Sequence, residues 1–349
     1  MSVPHSCAGC APPSGDGTDR APEGSRGVSS AVHGQNASST SFVHDALLYD
    51  DAGQLAESAG AFLAEGLGAD EAAVVAAGSW ATGVIRDAVG DDPRLHVVDR
   101  ADAYRSRTPV AIAAFRQLAD RYVGEGVTRV RVVGEVDFGS TEQDRVEWQR
   151  YEAVINHALA PWPLWGLCVF DTQRLPEPVL EAARRTHPTL VTAGRRVANE
   201  EFVDPASYLR GLSAPHEALE QAPPQLAVRG VTDFIGLRHA VAGELATTPG
   251  PRDVVEDFTL AVDEMTSNAV RHGSPPVDLL LWVSSGKLVC RITDHGSGID
   301  DPFAGYGPAH GDDLSRGGMG LWLARQLCDH VDVSHDGGRT SVRLIAHLR

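Results

Sequence analysis

The chain has 349 residues, enough for two domains, and its 42% hydrophobic content is that of an ordinary globular protein. No apolar run reaches the roughly 18 residues that a membrane-spanning helix needs. The formal net charge of -17 argues against binding nucleic acid through its phosphates and suits partners that are proteins and small molecules. The first thirty residues lack the apolar centre of a signal peptide. Five scattered cysteines argue against a disulfide framework, so a cytoplasmic location is expected. Residues 1–41 are rich in Ser, Gly and Pro and poor in bulky apolar side chains, which predicts a disordered tail. Cys7-Ala-Gly-Cys10 has metal or redox spacing, but with only His5 nearby it offers too few ligands for zinc and is read as part of that tail.

From residue 42 short apolar runs alternate with amphipathic stretches. Strands are predicted at 46–49, 72–77, 95–98, 130–136, 164–170 and 190–191. Helices are predicted at 54–66, 80–89, 110–123, 141–159 and 176–185, the last with Pro176 at its start. This alternation predicts a largely parallel sheet covered on both faces, an α/β domain. It resembles a RecA-like domain, but Gly78-Ser-Trp-Ala-Thr-Gly83 stands where a phosphate loop would be. That stretch lacks the lysine and hydroxyl ending, so no nucleotide is assigned here.

Five short stretches carry a more specific resemblance: His44-Asp-Ala-Leu-Leu-Tyr49, Val133-Gly-Glu135, Tyr151-Glu-Ala-Val-Ile-Asn156, Leu167-Cys168 with Asp171, and Thr186-His-Pro188. Over residues 42–205 they resemble the MEDS sensory domain of methanogen and methylotroph regulators and of actinobacterial signalling proteins. The resemblance implies a ligand-sensing role, with hydrocarbon-like small molecules as the suggested ligands. It makes His44, Glu152, Asn156, Cys168 and His187 the candidate contacts. The family's second histidine after the His44 position is Asp45 here, and its histidine before the glutamate is Tyr151. On the residues alone, Glu152 and Asn156 equally suit a cross-link to a buried loop, and Cys168 suits an apolar core.

Residues 206–225 read as a linker. His216-Glu217 is a dipeptide also seen at histidine-kinase phosphoacceptor sites, but Pro223-Pro224 follows too soon for the long helix pair such a site needs. Residues 226–349 form the second domain. Phe234, Leu237, Val241 and Leu245 mark a first helix, ended by Pro249-Gly250-Pro251. In the next helix Phe258, Val262, Met265 and Ala269 form an apolar stripe. Glu264, Asn268 and His272, four apart, stack beside it. Strands at 277–283 and 288–293 form a hairpin, and strands at 331–334 and 341–346 pair across Asp336-Gly-Gly338. A Gly/Pro-rich lid at 300–316 lies between two glycine-bearing loops, Asp294-His-Gly-Ser-Gly298 and Gly317-Gly-Met-Gly-Leu321. The prediction is one mixed sheet with helices on one face.

Glycines that open a helix let backbone N–H groups approach a phosphate. Together with the Glu264-to-His272 helix and Arg339-Thr-Ser-Val-Arg343, the two loops resemble the GHKL (Bergerat) α/β sandwich of histidine kinases, gyrase and Hsp90. The resemblance implies ATP and Mg²⁺ as cofactors. It assigns the metal to Asn268 and nucleotide contacts to His272, Asp294, Gly296, Gly298, Gly318, Gly320, Leu321 and Thr340. The chemistry of the residues agrees: an amide oxygen suits Mg²⁺, and Asp294 can accept from an exocyclic amine with Thr340 in support. Glu264, one turn from the metal ligand, is the candidate catalytic base.

Within GHKL proteins, Ala261-Val-Asp-Glu-Met-Thr-Ser-Asn-Ala-Val-Arg-His272 is most similar to anti-sigma-factor serine kinases. That likeness implies phosphorylation of a serine on a STAS-type antagonist and binding of a sigma factor, with a homodimer left open and no membrane or direct nucleic-acid partner. Arginine in place of lysine throughout, save Lys287, resembles high-GC actinobacterial composition. Two other readings stand beside this one: an ATP-binding partner-switch module without kinase activity, and a histidine-kinase-like ATPase acting on a separate phosphoacceptor.

Overall fold

The computed structural model describes residues 41–104, 107–307 and 319–348. Apart from Ser41, the expected N-terminal tail with Cys7 and Cys10 lies outside the described residues, as do Gly318 and the second half of the lid.

The chain runs β1 (Val43–Tyr49), α1 (Ala52–Gly68), β2 (Ala72–Ala77), α2 (Ser79–Val89), β3 (Leu95–Asp99), α3 (Arg100–Ala103), α4 (Thr108–Gly124), β4 (Val130–Gly134), α5 (Glu142–Ala158), β5 (Leu164–Asp171), α6 (Glu177–Thr186), β6 (Thr189–Thr192) and β7 (Arg195–Ala198). The sheet order is β3-β2-β4-β5-β1-β6-β7. All neighbours are parallel except β7, which turns back antiparallel on β6. The central strands β2 and β4 are buried along their whole length, as a sheet covered on both faces requires. One face packs on α1 and α2 through Leu55, Leu63 and Ile85. The other packs on α4, α5 and α6 through Ile112, Phe115, Val154 and Leu180. Each such side chain, fully buried, contributes about 1.5–3 kcal/mol. Helix α5 starts firmly: Thr141 accepts from the Asp144 N–H, and the Asp144 carboxylate accepts from the Thr141 N–H.

The hairpin strand β7 was not foreseen, because four residues with two arginines carry no alternating apolar signal. Its partner explains it. Arg196 donates from Nε and Nη2 to Asp45 at 2.7 and 2.9 Å, and Trp165 Nε1 donates to the same carboxylate at 2.8 Å.

The stretch expected as a linker is structured. It carries α7 (Pro205–Gly211) and a 3-10 turn at Ala218–Gln221. Tyr208 of α7 is buried against Ala153 and Ala182.

The second sheet comprises β8 (Leu226–Val228), β9 (Asp278–Val283), β10 (Lys287–Asp294), β11 (His330–Asp336) and β12 (Arg339–His347), in the order β11-β12-β10-β9-β8. The expectation of a mixed sheet is corrected: every pairing in it is antiparallel. Tight hairpins join β9 to β10 and β11 to β12, while two helices separate β8 from β9 and one separates β10 from β11, which lie on either side of β12. Helices α8 (Phe234–Leu245), α9 (Arg252–His272) and α10 (Gly320–Leu327) cover one face. Leu279, Leu281, Cys290, Ile292 and Leu344 point to them and meet Phe258, Val262 and Met265. The apolar stripe read from the sequence is therefore the core side of α9.

The opposite face is also occupied. Trp282, Val289 and Ile345 pack on Leu219 of the 3-10 turn, and Trp282 Nε1 donates to the Ala222 carbonyl at 2.8 Å. Beside them lies a buried ionic junction. Asp332 of β11 accepts from Arg150 of α5 at 2.7 Å and from Nε and Nη2 of Arg343 of β12 at 3.1 and 2.6 Å. Arg150 also donates to Glu147 at 3.1 Å, and Glu147 accepts from Thr108 Oγ1 at 2.8 Å. Burial works against an ionised Asp332, yet the flanking charges of Arg150 and Arg343 hold its pKa below the usual carboxylate value.

Removing one partner of such a group leaves buried, unmatched charge. Asp332→Ala is expected to destabilise the protein by about 3–5 kcal/mol in urea unfolding. Because the folded-state pKa is depressed, the Asp332 contribution is fully present above the unfolded carboxylate value of about 4 and is lost as pH falls through the lower folded value. A wild type and variant that differ little at neutral pH would show the junction to be of no consequence.

Candidate functional sites

The first site lies between α9, the β10 end and α10. A cavity of about 250 Å³ is lined by Asn268, His272, Asp294, Gly296, Gly298, Leu321 and Thr340, together with Met265, Gly273, Ile292, Ile299, Ala304 and Val342. The helix brings in Asn268 and His272, since they share a face one turn apart. The β10–β12 register sets Asp294 directly beside Thr340. Asp294 is buried, and its Oδ1 accepts from the Gly296 N–H at 2.6 Å and from the Ser274 N–H at 3.4 Å. Among the described residues none donates to Oδ2, which could take a donor on a ligand. Thr340 Oγ1 donates to the Gly296 carbonyl at 3.3 Å, which ties the loop to β12.

Two glycines are required by geometry. Gly298 has φ +93°, and a Cβ there would also press on the His335 ring at 3.2 Å. A Cβ at Gly320 would lie 2.5 Å from Asn268 Nδ2, so the N-terminus of α10 reaches the Asn268 amide only because residue 320 has no side chain. An amide oxygen, helix-terminal N–H groups, a carboxylate oxygen without a protein partner and an apolar wall at Met265 and Ile292 fit a magnesium-bound adenine nucleotide.

Glu264 is half-buried one turn before Asn268 and does not line this cavity. Gly318 lies outside the described residues.

The described half of the lid has two sides. Ala304 faces the cavity, as does Ile299 just before the lid. Phe303 stacks on His157 at the end of α5, with ring centroids 4.1 Å apart and planes 14° apart. Tyr306 is buried in the N-terminal domain's core cluster and lies under the Arg325 guanidinium at 4.2 Å. Arg107, next to α4, donates to the Gln326 carbonyl of α10. These contacts escaped the sequence reading. Two aromatic residues inside a Gly/Pro-rich lid were the available signal, since a solvated loop has little use for them.

The second site is buried in the N-terminal domain, where β1, α5, β5 and the end of α6 bring His44, Glu152, Asn156, Cys168 and His187 together. His44 Nε2 and His187 Nε2 lie 3.3 and 3.4 Å from Glu152 Oε2, and Cys168 Sγ lies 3.4 Å from His44 Nε2. Asn156 sits behind the group. Its Nδ2 donates to the carbonyls of Glu152, Ala153 and Thr186 at 3.0, 3.3 and 2.9 Å. Burial lowers the His44 pKa to about 4 and the His187 pKa to about 3, and raises that of Glu152 to about 7. It also pushes the Cys168 thiol well up.

The two family departures fall outside this group. Asp45 points to the opposite face of β1 and is held by Arg196 and Trp165. Tyr151 joins Tyr104 and Trp148 in an edge-to-face aromatic cluster. At the phosphate-loop position the Gly78 N–H donates to Glu135 Oε2 at 2.7 Å, so a carboxylate of the protein takes the donor that a phosphate would use.

Comparison with known proteins agrees with both halves. Residues 43–188 match the MEDS family, the methanogen/methylotroph DcmR sensory domain. Residues 231–346 match the histidine kinase-like ATPase domain. Serine-protein kinase RsbW of Bacillus subtilis is 29% identical over 128 residues, which is 33% of this chain and 80% of that protein. The Bacillus licheniformis RsbW is 32% identical over 120 residues, 31% of this chain and 75% of that protein. The RsbU and RsbW domains of Rv1364c from Mycobacterium tuberculosis superpose with a TM-score of 0.26 at 18% identity, over 36% of this chain and 33% of that one, an overlap too small to carry any argument.

Asn268→Ala is expected to abolish ATP binding in the presence of Mg²⁺ while the circular dichroism spectrum stays that of the wild type, since the phosphate charge is then left without its metal. Unchanged affinity in calorimetry would remove Asn268 from the site.

Proposed function

The chain belongs, through its C-terminal domain, to the RsbW-type histidine kinase-like ATPases and carries a MEDS domain ahead of it, and from that premise we propose a sensor-coupled serine kinase. Its substrate protein is a serine-bearing antagonist of the STAS type, and its second partner is a sigma factor. The division of labour is sensing in residues 42–205, a docked connector at 206–225, and nucleotide binding and transfer in 226–349.

The observation that carries the reading is the convergence of Asn268, Asp294, Gly298, Leu321 and Thr340 on one cavity with Glu264 one helical turn from Asn268. Asn268 would hold the Mg²⁺ of bound ATP, which would offset phosphate charge, and the γ-phosphoryl is the group to be transferred. Asp294 Oδ2 accepts from the adenine amine. Backbone N–H groups at the start of α10 face the phosphates, where the helix dipole favours negative charge. Glu264 takes the proton of the attacking serine hydroxyl as the O–P bond forms, and ADP leaves.

The sensory half bears on this cavity through α5. Glu152 and Asn156 of that helix contact the buried cluster, Arg150 holds Asp332, and His157 stacks on the lid. A small molecule that shifts α5 therefore acts on the lid and on β11 together.

One observation favours a rival. Glu264 does not line the cavity itself, as an ATP-dependent partner-binding module without transfer would allow. A histidine phosphoacceptor at His216 is disfavoured, because Glu217 is buried in an ion pair with Lys287 at 3.0 Å and α7 spans only seven residues.

Glu264→Gln keeps shape and touches no nucleotide contact. ATP affinity is expected to persist while phosphate transfer to a STAS protein of the same organism falls by about 10²–10⁴-fold. Equal transfer rates would take Glu264 out of the mechanism. Absence of transfer by the wild type to any such protein would favour the binding module.

A further inference from the structure

The buried cluster in the N-terminal domain gathers two imidazoles, a carboxyl and a thiol away from water. Glu152 and His187 are 1% and 0% exposed, and among the described residues neither Glu152 oxygen nor His187 Nε2 makes a well-formed hydrogen bond, although both imidazoles and the Cys168 thiol crowd the carboxyl. Unpaired polar atoms at that depth are costly, on the order of 1–3 kcal/mol each and more for a charge.

The hydrogen bonds behind the cluster decide which atoms carry protons. His187 Nδ1 faces the Ala183 carbonyl at 2.8 Å, and a carbonyl only accepts, so Nδ1 is the protonated nitrogen. Asn156 spends its NH₂ on three carbonyls, which leaves Oδ1 to accept from His44 Nδ1 at 3.2 Å. Both imidazoles are therefore held with a bare Nε2, and both Nε2 atoms aim at Glu152 and Cys168. Two nitrogen lone pairs, the Glu152 carboxyl and the Cys168 thiol converge, four ligand-type groups facing one another in one dry spot.

We propose that His44 Nε2, His187 Nε2, Cys168 Sγ and Glu152 form a closed tetrahedral site for one divalent d-block cation, zinc above all. The four ligand atoms lie within 4.8 Å of one another. The nearest separations, 3.3, 3.4 and 3.4 Å, compare with tetrahedron edges of about 3.3–3.6 Å expected from Zn–N and Zn–S bonds of about 2.0–2.3 Å. Thiolate, carboxylate and two neutral imidazoles neutralise a 2+ ion, so the loaded site buries no net charge. On binding, the thiol proton leaves to solvent as the metal–sulfur bond forms. Mixed sulfur, nitrogen and oxygen ligands in this geometry select zinc over magnesium or calcium. The carbonyl and amide behind the imidazoles are the outer partners that orient metal-bound histidines.

A small apolar pocket of about 30 Å³ opens beside the cluster, with His44 and Cys168 on its wall next to Phe42, Tyr104 and Ile155. A small molecule in it would lie against the metal. The metal site deepens the sensory reading of these residues and holds whether or not the C-terminal domain transfers phosphate.

The test uses the untagged full chain carrying Cys7→Ser and Cys10→Ser, which removes the other cysteine pair with metal spacing. As purified, elemental analysis is expected to find one zinc per chain. After chelation, cobalt(II) titration without nucleotide is expected to saturate at one equivalent, with tetrahedral ligand-field bands and a thiolate charge-transfer band, and zinc is expected to displace it. Cys168→Ser should lose the charge-transfer band. Asn156→Ala should weaken cobalt binding by about 10–100-fold, the usual effect of losing an outer partner. A purified chain free of metal that also takes up no cobalt while its circular dichroism is native would overturn the site. So would a charge-transfer band that survives Cys168→Ser. Either failure leaves the kinase assay above to stand or fall separately, since no nucleotide enters this experiment.

Discussion

Asp332 is the constraint on which the arrangement of the two halves depends. It is a buried carboxylate on the edge strand of the second sheet, and it is matched by one arginine from its own sheet and one from α5 of the first domain. A charge at that depth is tolerated only with both partners in place, so the junction has one geometry. Arg343 extends the network to the connector, where Nη2 donates to the Pro215 carbonyl at 2.6 Å and Nη1 to Glu220 at 3.4 Å. With β11, α5 and the connector fixed against one another, His157 of the N-terminal domain stacks on Phe303 in the described half of the lid.

Helix α5 thereby serves three neighbours from successive turns. Its Glu152 and Asn156 belong to the buried His/Cys cluster, Arg150 belongs to the ionic junction, and His157 belongs to the lid contact. A ligand at the cluster that displaced α5 as a body would act at the other two places as well. The cluster itself is poised for such a role. Its lone pairs face one another in a dry interior, and any ion or ligand that relieves their repulsion gains free energy that depends on where α5 sits.

Much of this was legible from residue order. The parallel sheet announced itself through apolar strands that alternate with amphipathic helices, and α9 through the stripe Phe258, Val262, Met265 and Ala269, all of which are buried. The cavity proposed for nucleotide was legible in part: a helix face and a glycine loop are local patterns, and the structure brings Asn268, His272, Asp294 and Thr340, which the family resemblance singled out, to one cavity. What stayed hidden was long-range. Strand β7 exists because Arg196 meets Asp45, and no window of sequence contains both. Glu217 and Glu220 lie in the stretch read as a linker, and their partners Lys287, Arg291 and Arg343 are 70 to 123 residues away in sequence. The sheet read as mixed is antiparallel, because apolar period shows that strands exist but not which way they pair.

The central claim is that the N-terminal domain acts on the proposed nucleotide cavity through the described half of the lid, and the His157–Phe303 stack is where that claim is most exposed. The direct test is a double-mutant cycle of His157→Ala and Phe303→Ala, with ATP affinity measured for the wild type, both single variants and the double variant. The account predicts that each single change alters the affinity and that the double change adds little to either, a coupling on the order of 0.5–1.5 kcal/mol for an aromatic pair. Fully additive effects, or an ATP affinity indifferent to His157, would contradict it.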